Sequence, residues 1–383
     1  MEKKTAKHLL LLLFFILLWA PIVQDSFHLF KGGGLKGAYT SPSDISFDFK
    51  KWFDGSYPEK KTEYLSFNFG FRPDFVRMYN QLKFWLFKSS GNENIVIGKE
   101  NYLYEQQYIS EYFGTNYVGE KEINTKISQL KELQDTLKKR GVFLFTVFAP
   151  GKGSFYPEYI PDNAIQPKKR HTNYTSYIAA SKKAGINFID MKAWFLAMKD
   201  TSRYRLFPRY GVHWSEYGDF LAFDSLVRYV ENETGKDLPD IKLDGIQLAV
   251  KPRGRDYDAG DGLNIITENY NDTLAYPFFS VKWKGKDEVS SLTIGDSYYF
   301  NMYGHMGAAV FKEVDFWYYF SEFWSINGNT SRREDIKELL CKRNVVCLMY
   351  TDATLGGFGS DFLKVAHEQF QVKKGDSIAV KSK

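Results

Sequence analysis

The chain has 383 residues, 44% of them hydrophobic and 25% charged, a balance that requires a packed core and excludes a disordered protein. Its formal net charge of +5 is spread along the sequence, with no long Lys/Arg block beyond the first few residues, so nucleic-acid binding gets no support. The 2 cysteines and 6 histidines fall into no metal-ligand spacing, and neither a metal site nor a cofactor is expected.

The N-terminus is the clearest organisational signal. Lys3, Lys4 and Lys7 precede an apolar run from Leu9 to Val23, followed by Phe27, Leu29 and Phe30. No small-x-small cleavage site follows, and the lysines occupy the side that stays cytoplasmic. We read residues 1–30 as an uncleaved signal-anchor; a cleaved signal peptide is the alternative. The main domain is then extracytoplasmic, on the periplasmic side of a cell inner membrane.

Residues 31–94 form a stem. Gly32-Gly33-Gly34 is a flexible joint, and the sequence to about residue 60 has no period. From Tyr64 to Phe87, the residues Leu65, Phe69, Phe75, Met78, Leu82 and Trp85 recur at helical spacing and predict one or two helices. Arg72, within that stretch, could bind a carboxylate or anchor the stem to the main domain; the second, structural role is preferred.

From Ile95 to about residue 372 the pattern alternates. Ile95-Val96-Ile97-Gly98 and Tyr102-Leu103-Tyr104 open it. A helix over Ile123 to Arg140 is stopped by Gly141, and a wholly apolar strand follows at Val142 to Phe148. A loop spans Pro150 to Pro161, then come a helix near Tyr174 to Ala184, a strand at Asn187 to Asp190 and a helix near Ala193. Ser215 is a candidate N-cap for a helix carrying Phe220, Phe223, Val227 and Val230. Residues 236–288 read as long polar excursions. Val289 to Ile294 resumes the sheet, a helix follows Ser297, and Arg332 to Arg343 with Val345 to Tyr350 adds a helix and a strand. The order predicts a doubly wound parallel α/β sheet, with residues 373–383 a polar tail. Cys341 and Cys347 read as small core residues in preference to a disulfide.

Two short motifs carry chemistry. Leu292-Thr293-Ile294-Gly295-Asp296-Ser297 puts a serine at the C-terminal end of a strand, where α/β folds place ligands. Gly295 would permit a tight turn there, and Asp296 would hold the loop. Serine needs a base, and His213, in Gly211-Val212-His213-Trp214-Ser215, stands just ahead of a helix start whose positive end favours the neutral imidazole. Trp214 is a candidate pocket wall. Lys152 and Tyr156, in the loop after a central strand, are candidates to contact an acyl oxygen or a sugar hydroxyl.

The order of these pieces resembles the SGNH-hydrolase-like domain of the alginate O-acetyltransferases of the AlgJ and AlgX type. The resemblance rests on Gly70-Phe71-Arg72 with Tyr79-Asn80, Tyr102-Leu103-Tyr104, Ala149-Pro150-Gly151-Lys152 with Tyr156-Pro157, His213-Trp214-Ser215 and Gly295-Asp296-Ser297, across roughly residues 50–370. It implies acetyl transfer onto hydroxyls of an exported polysaccharide, with Ser297 as nucleophile and His213 as base. It also implies a multispanning membrane O-acyltransferase as acetyl supplier. In that family the base belongs to an Asp-x-His pair, whereas here the position two before His213 is Gly211. Asp258, Asp261 and Asp190 are the candidates to replace the missing acid, the first two ranked above the third. Two alternatives share the fold: a non-catalytic glycan-binding or scaffold subunit, favoured by Gly211, and a carbohydrate acetylesterase.

Overall fold

The computed structural model describes residues 2–37, 41–168, 171–268, 270–326 and 336–371. The polar tail and Arg332 lie outside them. Two compact units divide the chain, Met1–Ile95 with Gly260–Asn269, and Val96–Ala259 with Tyr270–Lys383.

In the first unit, α1 (Glu2–Phe27) is longer than the apolar run alone implies, and its segment Thr5–Phe27 is long and apolar enough to cross a membrane. Three stem helices follow: α2 (Phe49–Phe53), α3 (Ser56–Asn68) and α4 (Arg72–Phe87). Asp48 caps α2 by accepting from the Lys51 N–H, and Pro73 sits in the first turn of α4, where no donor is lost. The segment Gly260–Asn269, which the sequence placed in the main domain, is bound into this unit by side chains of α4. The Gln81 Oε1 accepts from the N–H groups of Ile266 and Thr267, and the Asn80 Nδ2 donates to the Leu263 carbonyl. Arg72 lies over the Phe67 ring of the stem itself, at 4.4 Å.

In the second unit a ribbon of β1 (Ile95–Ile97) and β2 (Leu103–Glu105) precedes α5 (Gln106–Phe113) and α6 (Glu120–Lys138). The main sheet is built from β3 (Phe143–Ala149), β4 (Phe188–Ile189), β7 (Ser290–Gly295), β8 (Glu313–Tyr318), β9 (Glu322–Ser325) and β10 (Val345–Thr351). Their order is β4-β3-β10-β7-β8-β9, parallel except for the antiparallel edge strand β9. The predicted parallel α/β sheet is therefore mixed at one edge. Sequence reading also missed β8 and β9, which are only 6 and 4 residues long.

Side chains alternate across the sheet as the pleat requires. Leu144, Phe148, Leu292, Ile294, Val346, Leu348 and Tyr350 join Ile123, Ile127, Leu130, Leu133 and Leu137 of α6 in one buried cluster. On the other face, Phe143 and Phe145 meet Tyr229 of the helix Glu216–Thr234. Gly141, at a φ of +76°, ends the α6 region as the left-handed residue the sequence calls for. Residues 236–288 are more ordered than expected. Asp240–Ala249 and Leu274–Lys282 form a long antiparallel ribbon, β5 and β6, with one register shift near Gly245. Cys341 and Cys347 are both free and no disulfide joins them; Cys347 is a core residue as expected, whereas Cys341 is only half-buried.

Candidate functional site

The nucleophile loop begins where β7 leaves the sheet. A Cβ on Gly295 would lie 2.2 Å from the Met349 carbonyl oxygen, so glycine is required by close backbone approach to β10 and not by an unusual turn angle. Asp296 then fastens the loop. Its N–H donates to the Met349 carbonyl, one carboxylate oxygen accepts from the Tyr298 N–H, and the other accepts from the Thr351 N–H and the Thr354 hydroxyl. Ser297 follows, and its side chain points at His213: the distance from Oγ to His213 Nε2 is 2.8 Å.

His213 lies in the loop that ends at Ser215. The Ser215 hydroxyl donates to the Arg205 carbonyl and accepts from the Gly218 N–H, capping the helix Glu216–Thr234 as its residue type predicts. The imidazole is buried, and its second nitrogen, Nδ1, is 2.5 Å from Asp258 Oδ2. The other carboxylate oxygen of Asp258 accepts from the N–H groups of Val212 and Ala259. Burial raises the Asp258 carboxyl, but the charge and hydrogen bond of His213, with those two backbone donors, outweigh it and hold the carboxyl below its ordinary value. Serine, histidine and aspartate thus form one hydrogen-bonded chain.

Gly211 explains why the acid comes from elsewhere in sequence. A Cβ there would stand 2.6 Å from the Arg255 carbonyl oxygen, 2.8 Å from Pro208 Cγ and 3.0 Å from the Asp256 carbonyl carbon. The segment that carries Asp258 to the histidine fills the space an aspartate at 211 would need. Gly211→Asp, which restores the Asp-x-His spacing on paper, is therefore expected to lower both stability, by about 1–3 kcal/mol of overpacking, and activity. Thermal unfolding and acetyl-ester turnover check this; a stable, faster variant would contradict it.

The other sequence candidates are placed differently. Asp261 lies in the smaller unit, where its carboxylate is 2.5 Å from Lys36 Nζ. Asp190 caps the helix Met191–Met198 and accepts from the Tyr174 hydroxyl. Lys152 is fully buried, and its Nζ donates to the carbonyls of Arg209 and Gly211 at 2.6 and 2.7 Å. It holds the backbone just before His213, and burial pulls its ammonium down to about 7. Tyr156 packs in an aromatic group with Tyr102, Phe155 and Tyr159. Trp214 is a buried wall, its ring against Phe195 and Tyr298.

Two residues at the site were not singled out from the sequence. Arg255 donates through Nη1 to the Ser297 carbonyl oxygen, and the same nitrogen is 3.4 Å from His213 Nε2. A cation therefore sits beside the reacting atoms. Tyr298 stacks near the imidazole, with ring centroids 4.8 Å apart, and its hydroxyl donates to the Val212 carbonyl. Adjacency to Ser297 was the available signal for Tyr298; for Arg255 the signal was its position in the loop that carries Asp258.

Behind the nucleophile loop lies a second buried charge group. Lys192 Nζ is 2.7 Å from Asp352, which directly follows the Thr351 that binds Asp296. Close by, burial and the Asp352 charge push the Glu111 carboxyl up to about 7, against the Tyr174 N–H, Lys192 and Asn173. A carboxyl raised in the folded state favours the fold most when protonated, so its contribution is full below about 4.5 and is lost as pH rises through about 7. Glu111→Gln is expected to flatten the stability profile in that window, measured by denaturant unfolding at a series of pH values. An unchanged slope would contradict the assignment.

The profile of the family described as "SGNH hydrolase-like domain, acetyltransferase AlgX" matches residues 95–265. A probable alginate O-acetylase AlgJ of Pseudomonas putida is 22% identical over 160 residues, covering 42% of this chain. The chain spans only 39% of the length of that curated relative. Among solved structures, the O-acetyltransferase domain of Pseudomonas putida AlgJ is 16% identical with a TM-score of 0.49, covering 73% of this chain and all of that one. Pseudomonas aeruginosa AlgX is also 16% identical, with a TM-score of 0.42 over 68% of this chain and 65% of its own.

Proposed function

We propose that this chain, which is of the AlgJ/AlgX type and matches the AlgX SGNH hydrolase-like domain over residues 95–265, is a serine-dependent O-acetyltransferase acting on hydroxyls of an exported polysaccharide. The observation that carries the reading is the chain of contacts from Asp258 to His213 at 2.5 Å and from His213 to Ser297 at 2.8 Å, at the carboxyl end of a central strand.

In the first half-reaction Ser297 Oγ attacks the carbonyl carbon of an acetyl donor as its proton passes to His213 Nε2. Asp258 holds Nδ1–H and offsets the positive charge that the imidazole acquires. The developing oxyanion is held by the Ser297 N–H and the Arg255 guanidinium, while Lys152 Nζ is directed at the Arg209 and Gly211 carbonyls. The tetrahedral centre collapses, the bond to the donor's leaving group breaks, and that group takes the proton from His213. An acetyl-serine remains. In the second half-reaction a glycan hydroxyl loses its proton to His213 and attacks the acetyl carbon. Ser297 leaves and is reprotonated, and the glycan carries the ester.

Acetyl-CoA is cytoplasmic, so α1 read as a membrane anchor supports supply by a multispanning membrane acyltransferase to a site on the outer face of the inner membrane. The scaffold alternative rested on Gly211, and Asp258 removes its main support. The test supplies the full chain with an activated acetyl ester and neutral or acidic oligosaccharides, with products read by mass spectrometry. Acetylated oligosaccharide supports transfer. Free acetate alone makes the chain an esterase, and no turnover at all favours the scaffold.

A further inference from the structure

Helix α4 exposes most of its apolar side chains. The side packed into its own unit carries the amides of Asn80 and Gln81, which bond the backbone of Leu263, Asn264, Ile266 and Thr267. The opposite side carries Phe75, Met78, Tyr79, Leu82, Trp85 and Leu86, spaced three and four residues apart. Each of the six is between 48% and 69% exposed. They form one stripe over roughly a third of the helix circumference. Phe84 shares the inward face with the two amides, yet six apolar side chains in one exposed stripe suit surroundings other than water.

The position of α4 identifies those surroundings. A Cβ on Gly70, two residues before α4, would lie 2.2 Å from the Pro21 carbonyl and 2.8 Å from the Asp25 N–H nitrogen, so the turn into α4 is pressed against the last part of α1. The chain leaving α1 is tied to the same place, because Arg77 of α4 donates to the carbonyls of Gly33 and Gly34. Where α1 leaves a bilayer, α4 therefore starts. The stripe's Trp85 and Tyr79, with Lys83 over the Tyr79 ring at 5.4 Å, are the residue types that settle between acyl chains and headgroups. We propose that the exposed face of α4 rests in the interfacial layer of the phospholipid bilayer, making the stem a second membrane contact beside the anchor. This rests on the reading of α1 as a spanning helix.

The full chain is reconstituted in vesicles of phosphatidylethanolamine and phosphatidylglycerol containing a phospholipid with a photoactivatable diazirine on its acyl chain, and cross-linked peptides are mapped. Adducts are expected on Thr5–Phe27 and on Phe75–Leu86. In a second sample carrying Leu82→Asp and Trp85→Asp, the adducts on α4 should be lost while those on α1 persist. Labelling of α1 without α4 would overturn the proposal and leave the face to an apolar protein partner. Undiminished α4 labelling in the double variant would overturn it as well. Failure to label α1 would instead remove the anchor reading, and the proposal with it.

Discussion

Replacing Ser297 with Ala is expected to abolish acetyl transfer, lowering kcat by about 10⁴-fold or more while leaving thermal stability nearly unchanged. The side chain is small and its one prominent partner is His213, so little packing is lost with the hydroxyl. His213→Ala should cost as much. Because the two act as one unit, the double variant should be no slower than either single variant. Steady-state turnover of an activated acetyl ester measures all three. Additive losses would mean that serine and histidine do not share a proton, and the mechanism would have to be abandoned.

The second large effect belongs to Asp258. Asp258→Asn keeps the shape of the side chain but removes its charge, and it presents a donor or a weaker acceptor to His213 Nδ1. The imidazole then loses the group that fixes its tautomer and stabilises its charged form, and kcat should fall by about 10³–10⁴-fold, some 4–5.5 kcal/mol in the barrier. Asp261→Asn, by contrast, touches only the pair with Lys36, which is partly exposed, and should leave turnover within about twofold. Comparing the two variants in one assay separates the two acids that the sequence left level. Equal losses, or a larger loss for Asp261, would contradict the geometry.

That pair of residues also shows where sequence reading runs out. Ser297 and His213 were legible because each sits beside a local mark: a strand running into Gly295-Asp296 in one case, an N-cap serine in the other. The central strands β3 and β10 were legible because parallel strands buried on both faces are apolar without interruption. The acid was only partly legible: Asp258 and Asp261 stood level, because the choice between them depends on a long-range fact. The loop of Arg253 to Asp258 crosses directly over Gly211, and only in three dimensions does the glycine appear as the space that admits the replacement for the missing carboxylate. Lys152 differs for a related reason: a lysine in a loop after a strand looks exposed, yet it is fully buried with its Nζ on two backbone carbonyls. The stem was half legible. Its periodic apolar residues correctly predicted helix, but periodicity does not say which face turns inward, and in α4 that face carries Asn80 and Gln81 with Phe84.

The central claim is that Ser297 carries the acetyl group, and trapping the acyl-enzyme tests it most directly. The full chain is mixed with an activated acetyl ester, quenched in acid within the first turnover, digested and mapped by mass spectrometry. One acetyl group is expected on the peptide that contains Ser297, absent from Ser297→Ala and discharged when an oligosaccharide acceptor is added before the quench. Acetyl found at equal level in Ser297→Ala, or no acetyl on that peptide in a preparation that turns over the ester, would contradict the account.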